Sequence, residues 1–322
     1  MIAGIECTAH TFGVGVVENG KILSNIKDMY VPEKGGIVPI ESAQHHKDVS
    51  ERLWKEAFVK AGVNEKEIDA IALSNAPGLA PCLKAGMEFA KKKAEELKVP
   101  IVPVNHCIAH LEIGRISGAK DPVLLYTSGA NTQIIAYAAG KFRIFGETLD
   151  IGIGNFIDKF ARHAKLSFPG GPKIEELAKN GKYIELPYSI KGMDVSFSGM
   201  QTKLQQLFDK GEKIEDLSFS LQETAFAMLV EAAERAMAHT GKNELVLGGG
   251  VACNSRLQEM CRIMCNERKA KFFCPEKQFL VDNAAMIAFT GELMFKSGMA
   301  EDPEKIDIKP RERTDEVVVK WR

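Results

Sequence analysis

Two histidines one helical turn apart are the residues of this sequence whose spacing most directly indicates chemistry. His106 and His110 stand in the segment NHCIAH, and on a helix their i, i+4 spacing places both imidazoles on one face. Two imidazoles so placed can chelate a metal ion, although such a pair is also compatible with a structural role. The segment follows a predicted strand, at the end where open α/β sheets hold ligands. Asp282, near the start of a late helix, is the candidate carboxylate, and two histidines with one carboxylate suit iron or zinc.

Glycine-rich turns form a second group of candidates. Glycine lets the backbone approach a ligand closely, and free N–H groups at a helix start bind phosphate. None of the turns fits GxxxxGK[ST] or the full GxGxxG, so neither a P-loop nor a Rossmann cofactor is supported. Any one turn is compatible with a structural role, but together they predict a nucleotide cleft between two domains. The turns are GVGV (13–16), TSGANT (127–132), PGGP (169–172) and LGGGVACN (247–254).

Two carboxylates lie near these turns. Asp158 is in GETLDIGIGNFIDKFAR and Glu175 is in GGPKIEELA. Carboxylate oxygens accept hydrogen bonds from ribose hydroxyls, so both are candidates for holding a nucleoside. The alternative is that they belong to a solvated helix face.

The elements that must position these residues show a weak internal repeat. The strand–turn–strand pattern of Ile5–Leu23, with an Asn-Gly hairpin turn, recurs in Leu125–Phe145 at an offset of 120 residues. Two such hairpins predict a duplicated domain, and alternating α and β signals between them favour an α/β architecture. The aligned pairs are Thr8 with Ser128, Thr11 with Asn131, Gly20 with Gly140, and Lys21 with Lys141.

Local signals predict several of the other elements. Asn105 is a suitable N-cap for a helix from His106, and Ser220 with Glu223 reads as a capping box that opens a helix running to Gly241. A Gly- and Pro-rich segment at about 147–210 is predicted to be an insertion. Further predictions are a helix at 43–62, strands at Ile68–Ser74 and Ile101–Val104, and a helix at Leu83–Lys98.

Composition excludes several classes of protein. The 322 residues are enough for two domains, and 45% hydrophobic content excludes disorder. No run of 18 apolar residues indicates a membrane span, and the first residues do not resemble a secretory signal. The seven cysteines form no CxxC pair, so we expect reduced thiols and a cytoplasmic protein. The net charge of −1 argues against binding of nucleic acid by bulk electrostatics alone.

Taken in order, the motifs resemble those of the TsaD/Gcp family, in particular the archaeal and eukaryotic catalytic subunits of the KEOPS complex. The matching segments are GIECTAHTFGVGVV, PGLAPCL, NHCIAHLEIGR, LYTSGANTQ, GETLDIGIGNFIDKFAR, FPGGPKIE, KGMDVSFSG, SLQET, LGGGVACN, VDNAAMIA and RERTDEV. The resemblance implies an α/β protein of the ASKHA (actin-like ATPase) fold, with two RNase H-like domains that face each other across a nucleotide cleft. The implied domains are 1–120, with the tail 290–322 packed back on it, and 121–289, with the insertion.

The resemblance also implies an activity. It is metal-dependent transfer of the threonylcarbamoyl group from L-threonylcarbamoyl-AMP to the exocyclic amine of the adenosine 3′ to the anticodon, in tRNAs that read ANN codons. The implied metal is Fe(2+), with Zn(2+) as the alternative, and no side chain is indicated as the general base. The implied ligands are His106, His110, Tyr126 and Asp282. The adenylate would lie on Tyr126, Thr127, Ser128, Gly129 and Ala130, with its nucleoside held by Asp158, Gly171, Glu175 and Asn254.

Partners follow from the same resemblance. They are tRNA and the other KEOPS subunits: a small atypical protein kinase, its regulator and a dimerisation subunit. No membrane is implied.

The sequence departs from the family pattern at several small residues, and other functions remain open. The extra methyl groups would restrict a backbone that needs positive φ. The alternatives are an ASKHA ATPase or small-molecule kinase using magnesium, a metallo-endopeptidase, which the absence of an HExxH glutamate disfavours, and a non-catalytic scaffold. The departures are Cys7, Ala76, Ala80, Ala130 and Ala284.

Overall fold

Two five-stranded mixed sheets organise the chain in the computed structural model, which describes residues 1–32 and 36–322. Internal contacts divide the described chain into two compact units. The first unit comprises Met1–Ile116, Gly140–Phe142 and Asp282–Arg322, and the second comprises Ser117–Ala139 and Arg143–Val281. The domain limits inferred from the sequence, at 120 and 289, stay a prediction.

The sheet of the first unit has the strand order β3-β2-β1-β4-β5. β1 pairs antiparallel with β2 and β2 antiparallel with β3, whereas β4 and β5 continue the sheet in parallel with β1. The carboxyl ends of β1, β4 and β5 therefore meet at one edge. The strands are β1 (Ile2–Glu6), β2 (Thr11–Glu18), β3 (Lys21–Met29), β4 (Ala70–Ala76) and β5 (Ile101–Asn105).

Helices cover both faces of this sheet. Alternate residues of β1 point to opposite faces, so Ala3 and Ile5 join the apolar core with Trp54 and Phe89, whereas Gly4 faces α10. The helices are α1 (Pro39–Ala61), α2 (Ala80–Leu97), α3 (His106–Ile113) and α10 (Ala284–Lys296). As predicted, α1 ends at Gly62, which has a φ of 69°.

Glycines in β1 and β2 allow α10 to lie directly on the sheet backbone. A Cβ atom at Gly4 would stand 2.4 Å from the backbone nitrogen of Ala288, and one at Gly15 would stand 2.8 Å from that of Ala285. Neither position can take a larger residue unless α10 moves. These contacts fix the start of α10, which begins two residues after Asp282.

The sheet of the second unit repeats the topology of the first. Its order is β12-β11-β6-β7-β8, with β6 antiparallel to β7 and parallel to β11. The hairpin turns also match, since Asn19 and Gly20 have φ values of 50° and 76°, and Ala139 and Gly140 have 50° and 79°. The repeat seen in the sequence is thus a repeat of topology. The strands are β6 (Val123–Thr127), β7 (Thr132–Ala138), β8 (Lys141–Glu147), β11 (Glu244–Gly248) and β12 (Lys271–Phe273).

The helices of the second unit enclose one apolar core around the long helix α7. The segment predicted as an insertion forms α4, α5, the short hairpin β9–β10 and α6. Among the described residues, no helix has the length and apolar character required to cross a membrane. The elements are α4 (Ile153–His163), α5 (Gly171–Ala178), β9 (Ile190–Lys191), β10 (Asp194–Val195), α6 (Ser198–Asp209), α7 (Ile214–Thr240), α8 (Ser255–Glu267) and α9 (Lys277–Leu280).

The predicted capping box at Ser220 and Glu223 is wrong. Helix α7 begins at Ile214, so Ser220 lies inside it, where its hydroxyl donates to the carbonyl of Asp216 at 2.7 Å. The same hydroxyl accepts from the N–H of Ile184 at 2.7 Å, which ties the preceding loop to the helix. A Ser-x-x-Glu pattern also occurs within helices, because a serine there can bond to the carbonyl four residues earlier.

Candidate functional site

The two histidines lie where the sequence predicts them, at the carboxyl end of a parallel strand. β5 ends at Asn105, whose Oδ1 accepts from the N–H groups of Cys107 at 3.1 Å and Ile108 at 3.3 Å. This cap starts α3 at His106, and the helix then places His110 one turn further along. The ring centroids of the two histidines are 4.8 Å apart.

Asp282 is held beside them by contacts on both sides. Asn283 caps α10 through an Oδ1 that accepts from the N–H of Met286 at 3.0 Å. On β3, the ammonium of Lys27 donates to the carbonyl of Asp282 at 3.0 Å. The backbone around Asp282 is therefore fixed by the helix that follows it and by the sheet beneath.

These three side chains converge within the first unit. The Oδ1 atom of Asp282 is 3.4 Å from Nε2 of His106 and 3.6 Å from Nε2 of His110. The three ligand atoms lie within 4.8 Å of one another, and they form the one group of this kind among the residues that the structure describes. Both imidazoles are buried, and the Asp282 side chain is 19% exposed, which leaves an approach from solvent.

The spacing of these atoms fits a metal ion. Charge-assisted hydrogen bonds are about 2.7–2.9 Å long, shorter than either distance to Asp282. Two ligand atoms each about 2.1 Å from one ion at tetrahedral angles would be about 3.4 Å apart. Two nitrogen donors and one oxygen donor leave room for further ligands, as catalytic sites do. The group can therefore hold a divalent ion of the zinc or iron type.

The electrostatics of the group keep it in a metal-binding form. Burial lowers the pKa of His110, which favours the neutral imidazole. Burial would raise the pKa of Asp282, but the positive charge that His106 carries when protonated, together with the closeness of both imidazoles, outweighs this effect and lowers that pKa well below its usual range. Burial raises the pKa of the neighbouring Cys107 thiol to about 11, so this cysteine stays protonated near neutral pH.

The candidate nucleotide turn lies in the second unit, after β6. Tyr126 and Thr127 are buried, and the Thr127 hydroxyl donates to the carbonyl of Gly248 at 3.3 Å. The Ser128 hydroxyl donates to the carbonyl of Asn131 at 3.0 Å and accepts from its N–H at 3.1 Å, which closes the turn.

Three glycines pack against this turn. Cβ atoms at Gly152 and Gly154 would stand 2.4 Å and 2.8 Å from backbone atoms of the turn, and one at Gly249, whose φ is 91°, would stand 2.3 Å from the Thr127 carbonyl. The departures from the family pattern do not require a positive φ, because the non-glycine residues with positive φ lie elsewhere in the described chain. None of Ala76, Ala80, Ala130 and Ala284 is among them.

The four predicted nucleoside-holding residues lie in the same unit. Asp158 accepts from the N–H of Gly170 at 2.8 Å, and Oε1 of Glu175 accepts from the N–H of Ser255 at 2.8 Å. Asn254 caps α8 and donates to Gln222 at 2.6 Å. A Cβ at Gly171, the first residue of α5, would meet open space.

A groove of about 600 Å³ adjoins part of this set. Glu175 and Ser255 line it together with Gln222 and Arg256, and its volume is in the range of small-molecule sites. The guanidinium of Arg256 donates to Glu223 at 2.6 and 2.8 Å and to Glu259 at 2.8 Å. Arg256 is therefore already neutralised within the groove.

Comparison with known proteins identifies the family. The model of the TsaD family, described as tRNA N6-adenosine threonylcarbamoyltransferase, matches residues 21–289. A protein of Thermococcus sibiricus with that same name is 54% identical over 324 residues, which span all of both chains, and one of Archaeoglobus fulgidus is 52% identical over the same extent. The chain belongs to the TsaD family.

Solved structures agree with the TsaD assignment at the level of the fold. HypF of T. kodakarensis matches with a TM-score of 0.61 and 15% identity over 92% of this chain and 48% of its own. An activator of 2-hydroxyisocaproyl-CoA dehydratase from Clostridium difficile was solved with bound ADPNP. It matches with a TM-score of 0.56 and 12% identity over 96% of this chain and 99% of its own. The predicted α/β, ASKHA-type fold is confirmed.

TsaD membership implies a bound metal and a nucleotide, and it favours the transferase over the kinase, endopeptidase and scaffold alternatives. The structure brings together His106, His110 and Asp282. Tyr126 belongs to the second unit, and its role as a ligand stays a prediction, as do the roles of the nucleotide-turn residues.

Sequence reasoning missed one residue that lies beside the candidate metal-binding group. Glu6, fully buried at the end of β1, faces Nδ1 of His106 at 2.9 Å. The available signal was a carboxylate at the end of an apolar strand, since a buried glutamate requires a partner. The identity of that partner was not accessible, because His106 is 100 residues away in the chain.

Proposed function

We propose that this protein transfers the threonylcarbamoyl group of L-threonylcarbamoyl-AMP to the exocyclic amine of the adenosine 3′ to the anticodon, in tRNAs that read ANN codons. The observation that carries the proposal is 54% identity, over the whole length of both chains, to a relative named for this activity. The convergence of two imidazoles and one carboxylate supports a metal-assisted form of the reaction.

The reaction breaks the mixed anhydride between the carbamoyl group and the phosphate of AMP and forms a bond to an amine. The adenosine amine attacks the carbamoyl carbonyl carbon, a C–N bond forms, the C–O bond to phosphate breaks, and AMP leaves. The amine proton passes to the leaving phosphate or to water. A divalent ion at His106, His110 and Asp282, when bound, supplies Lewis-acid polarisation of a carbonyl or phosphate oxygen.

The chain's own residues contribute binding and orientation. The turn Tyr126–Ala130, against which three glycines pack closely, is proposed to hold the adenylate through its backbone. Asp158 and Glu175 accept hydrogen bonds from the nucleoside with lone pairs that remain beside their backbone contacts. Asn254 and Gly171 complete this set at the starts of α8 and α5.

The resident metal is proposed to be Fe(2+), with Zn(2+) as the alternative, because both accept two histidines and one carboxylate. Elemental analysis of protein purified without oxygen and without added metal tests this. We expect about one iron ion per chain in the wild type, and we expect this iron to be lost in His106→Ala.

The partners are proposed to be tRNA and the KEOPS subunits: a small atypical protein kinase, its regulator and a dimerisation subunit. One support is a relative from Thermoplasma volcanium named as a probable bifunctional tRNA threonylcarbamoyladenosine biosynthesis protein. This relative is 50% identical to the chain, and the match covers 61% of the relative's length. The relative therefore has a further segment outside the match.

The function is tested in a complete system with threonine, bicarbonate, ATP, the adenylate-forming enzyme, tRNA and the partner subunits. Modified adenosine is measured by mass spectrometry for the wild type and for the double variant His106→Ala, His110→Ala. His163→Ala is the matched control, since His163 also pairs with a carboxylate but lies in the second unit, where its Nε2 is 2.8 Å from Oδ1 of Asp209. We expect full activity in the control and a loss of at least about 100-fold in the double variant. Equal modification by all three proteins would refute the metal-assisted reaction.

A further inference from the structure

Glu6 is a fully buried carboxylate, and among the described residues Thr8 and His106 face its two oxygens. Its Oε1 accepts from the N–H of Thr8 at 2.8 Å and from the Thr8 hydroxyl at 2.5 Å. Its Oε2 lies 2.9 Å from Nδ1 of His106. Thr8 thus holds one oxygen in place, and the other is directed at the histidine.

This arrangement determines the tautomer of His106. A carboxylate only accepts hydrogen bonds, so the proton of the pair lies on Nδ1. In the neutral imidazole the lone pair is then on Nε2, the nitrogen that faces Asp282 at 3.4 Å. Nε2 and the carboxylate oxygen are both electron-pair donors, and a cation between them satisfies both.

The charges of the group lead to the same result. Glu6 and Asp282 carry two negative charges, both histidines are neutral in the metal-binding form, and a divalent cation brings the sum to zero. Charges buried in protein are stable when they are paired or bind metal. Histidine ligands commonly donate their other ring N–H to a carboxylate, and loss of that carboxylate typically lowers metal affinity about 10–100-fold.

We propose that Glu6 is a positioning residue that fixes His106 in its Nδ1–H tautomer, directs Nε2 to the metal and sets the affinity of the site. Thr8 supports it by orienting the carboxylate. This inference rests on the proposed function only in taking His106, His110 and Asp282 as metal ligands.

Metal affinity provides a test that is independent of catalysis. Zinc affinity is measured by competition with a chromogenic chelator, and the coordination geometry from the spectrum of the cobalt-substituted protein. We expect Glu6→Gln to weaken zinc binding about 10–100-fold and Thr8→Val to weaken it less. The matched control is Glu292→Gln, because Glu292 is also buried in the first unit and accepts from two backbone N–H groups, those of Asn19 at 2.5 Å and Gly20 at 2.7 Å.

The tautomer itself is read in the wild type by nitrogen NMR of histidine-labelled, zinc-loaded protein, so the test does not depend on the folding of a variant. Zinc on Nε2 and a proton on Nδ1 of His106 support the proposal. Zinc affinity of Glu6→Gln within twofold of the wild type, or a proton on Nε2, overturns it. If His106→Ala abolishes zinc binding while Glu6→Gln does not, only the role of Glu6 fails. If the wild type binds no zinc or iron, the metal centre fails as well.

Discussion

Buried ionisable side chains of the first unit influence one another over short distances. Asp282 keeps a pKa well below the usual value because two imidazoles oppose the effect of its burial. His110 has a lowered pKa because burial disfavours its charged form. Both groups are therefore deprotonated near neutral pH, and metal affinity should fall only in acidic solution, where protons compete with the cation for these ligands.

His46 gives a residue-level prediction about pH. This imidazole is 1% exposed, packs on Phe12 with a centroid distance of 5.4 Å, and has its pKa lowered to about 4 by burial and by the nearby His45. The unfolded chain, with a histidine pKa of 6.5, binds more protons below that pH. The free energy of unfolding should therefore fall as pH drops from 6.5 to 4, by up to about 3 kcal/mol from this group.

Urea denaturation of the wild type and His46→Leu at pH 7 and pH 4.5 measures this contribution. We expect the variant to lose less stability than the wild type between the two pH values. An equal loss in both proteins would show that His46 does not titrate as its burial requires.

Local sequence patterns predict the candidate metal ligands but not the residues that hold those ligands in place. The i, i+4 spacing of His106 and His110 is local, so it could be recognised in the sequence. The convergence with Asp282 depends on α10 lying on β1 and β2, and Glu6 is joined to His106 only by the pairing of distant strands. Contacts between distant parts of the chain leave no periodic trace in one sequence.

At the scale of elements, the contact of α10 with the glycines of β1 and β2 gives a second prediction. Gly4→Ala places a methyl group 2.4 Å from the backbone of Ala288, so we expect a loss of about 1–3 kcal/mol in stability. The shift of α10 also moves Asp282, so zinc affinity should fall. Gly199→Ala is the control, because a Cβ there meets nothing within 4 Å. Unchanged stability and zinc affinity in Gly4→Ala would show that α10 is not held in this way.

Helix α3 is anchored through a buried carboxylate. Glu112 is fully buried and accepts from Nε1 of Trp321 at 3.0 Å, from Nε of Arg322 at 2.8 Å and from Arg115 at 3.2 Å. Removal of one partner leaves part of a buried charge uncompensated. These contacts hold the helix that carries both histidines.

We expect Arg322→Ala to lower the free energy of unfolding by about 1–3 kcal/mol, because Arg115 still neutralises Glu112 in part. The control is Arg52→Ala, which breaks exposed ion pairs with Asp28 and Glu56 and should cost less than about 1 kcal/mol. Equal effects of the two substitutions in denaturant titrations would contradict a special role for the buried pair.

Element limits were predictable where capping signals are local. Gly62 and Asn105 end and begin helices as predicted, because each satisfies backbone groups of its own turn. The start of α7 was missed because its first turn has no side-chain cap. Acidic residues stand there instead, Glu215 and Asp216, which are favoured near a helix N-terminus.

At the scale of the whole molecule, the duplicated topology explains the repeat in the sequence. In both sheets the first strand has an antiparallel neighbour on one side, followed by a third strand, and two parallel strands on the other side. Only the hairpins were visible as a repeat, because their turns demand particular residues and the parallel strands do not. The ASKHA fold was predicted from the family resemblance and not from the periodicity of the sequence.

The charge of the molecule predicts weak binding of tRNA by this protein alone. With 42 basic and 43 acidic residues, it has little net attraction for phosphate, and we expect a dissociation constant above about 1 µM at physiological salt. Fluorescence anisotropy with labelled tRNA checks this, and addition of the proposed KEOPS partners should tighten binding. Nanomolar binding by the isolated chain would show that a local basic surface outweighs the overall charge.

The most direct measurement of the central claim is a transfer assay that supplies preformed L-threonylcarbamoyl-AMP, tRNA and partner subunits but no ATP. We predict that the wild-type protein forms threonylcarbamoyladenosine and releases one AMP for each modified tRNA, and that His106→Ala with His110→Ala does not. A strict requirement for ATP hydrolysis by this chain, or full transfer by the double variant, would contradict the claim that it is a metal-assisted acyltransferase.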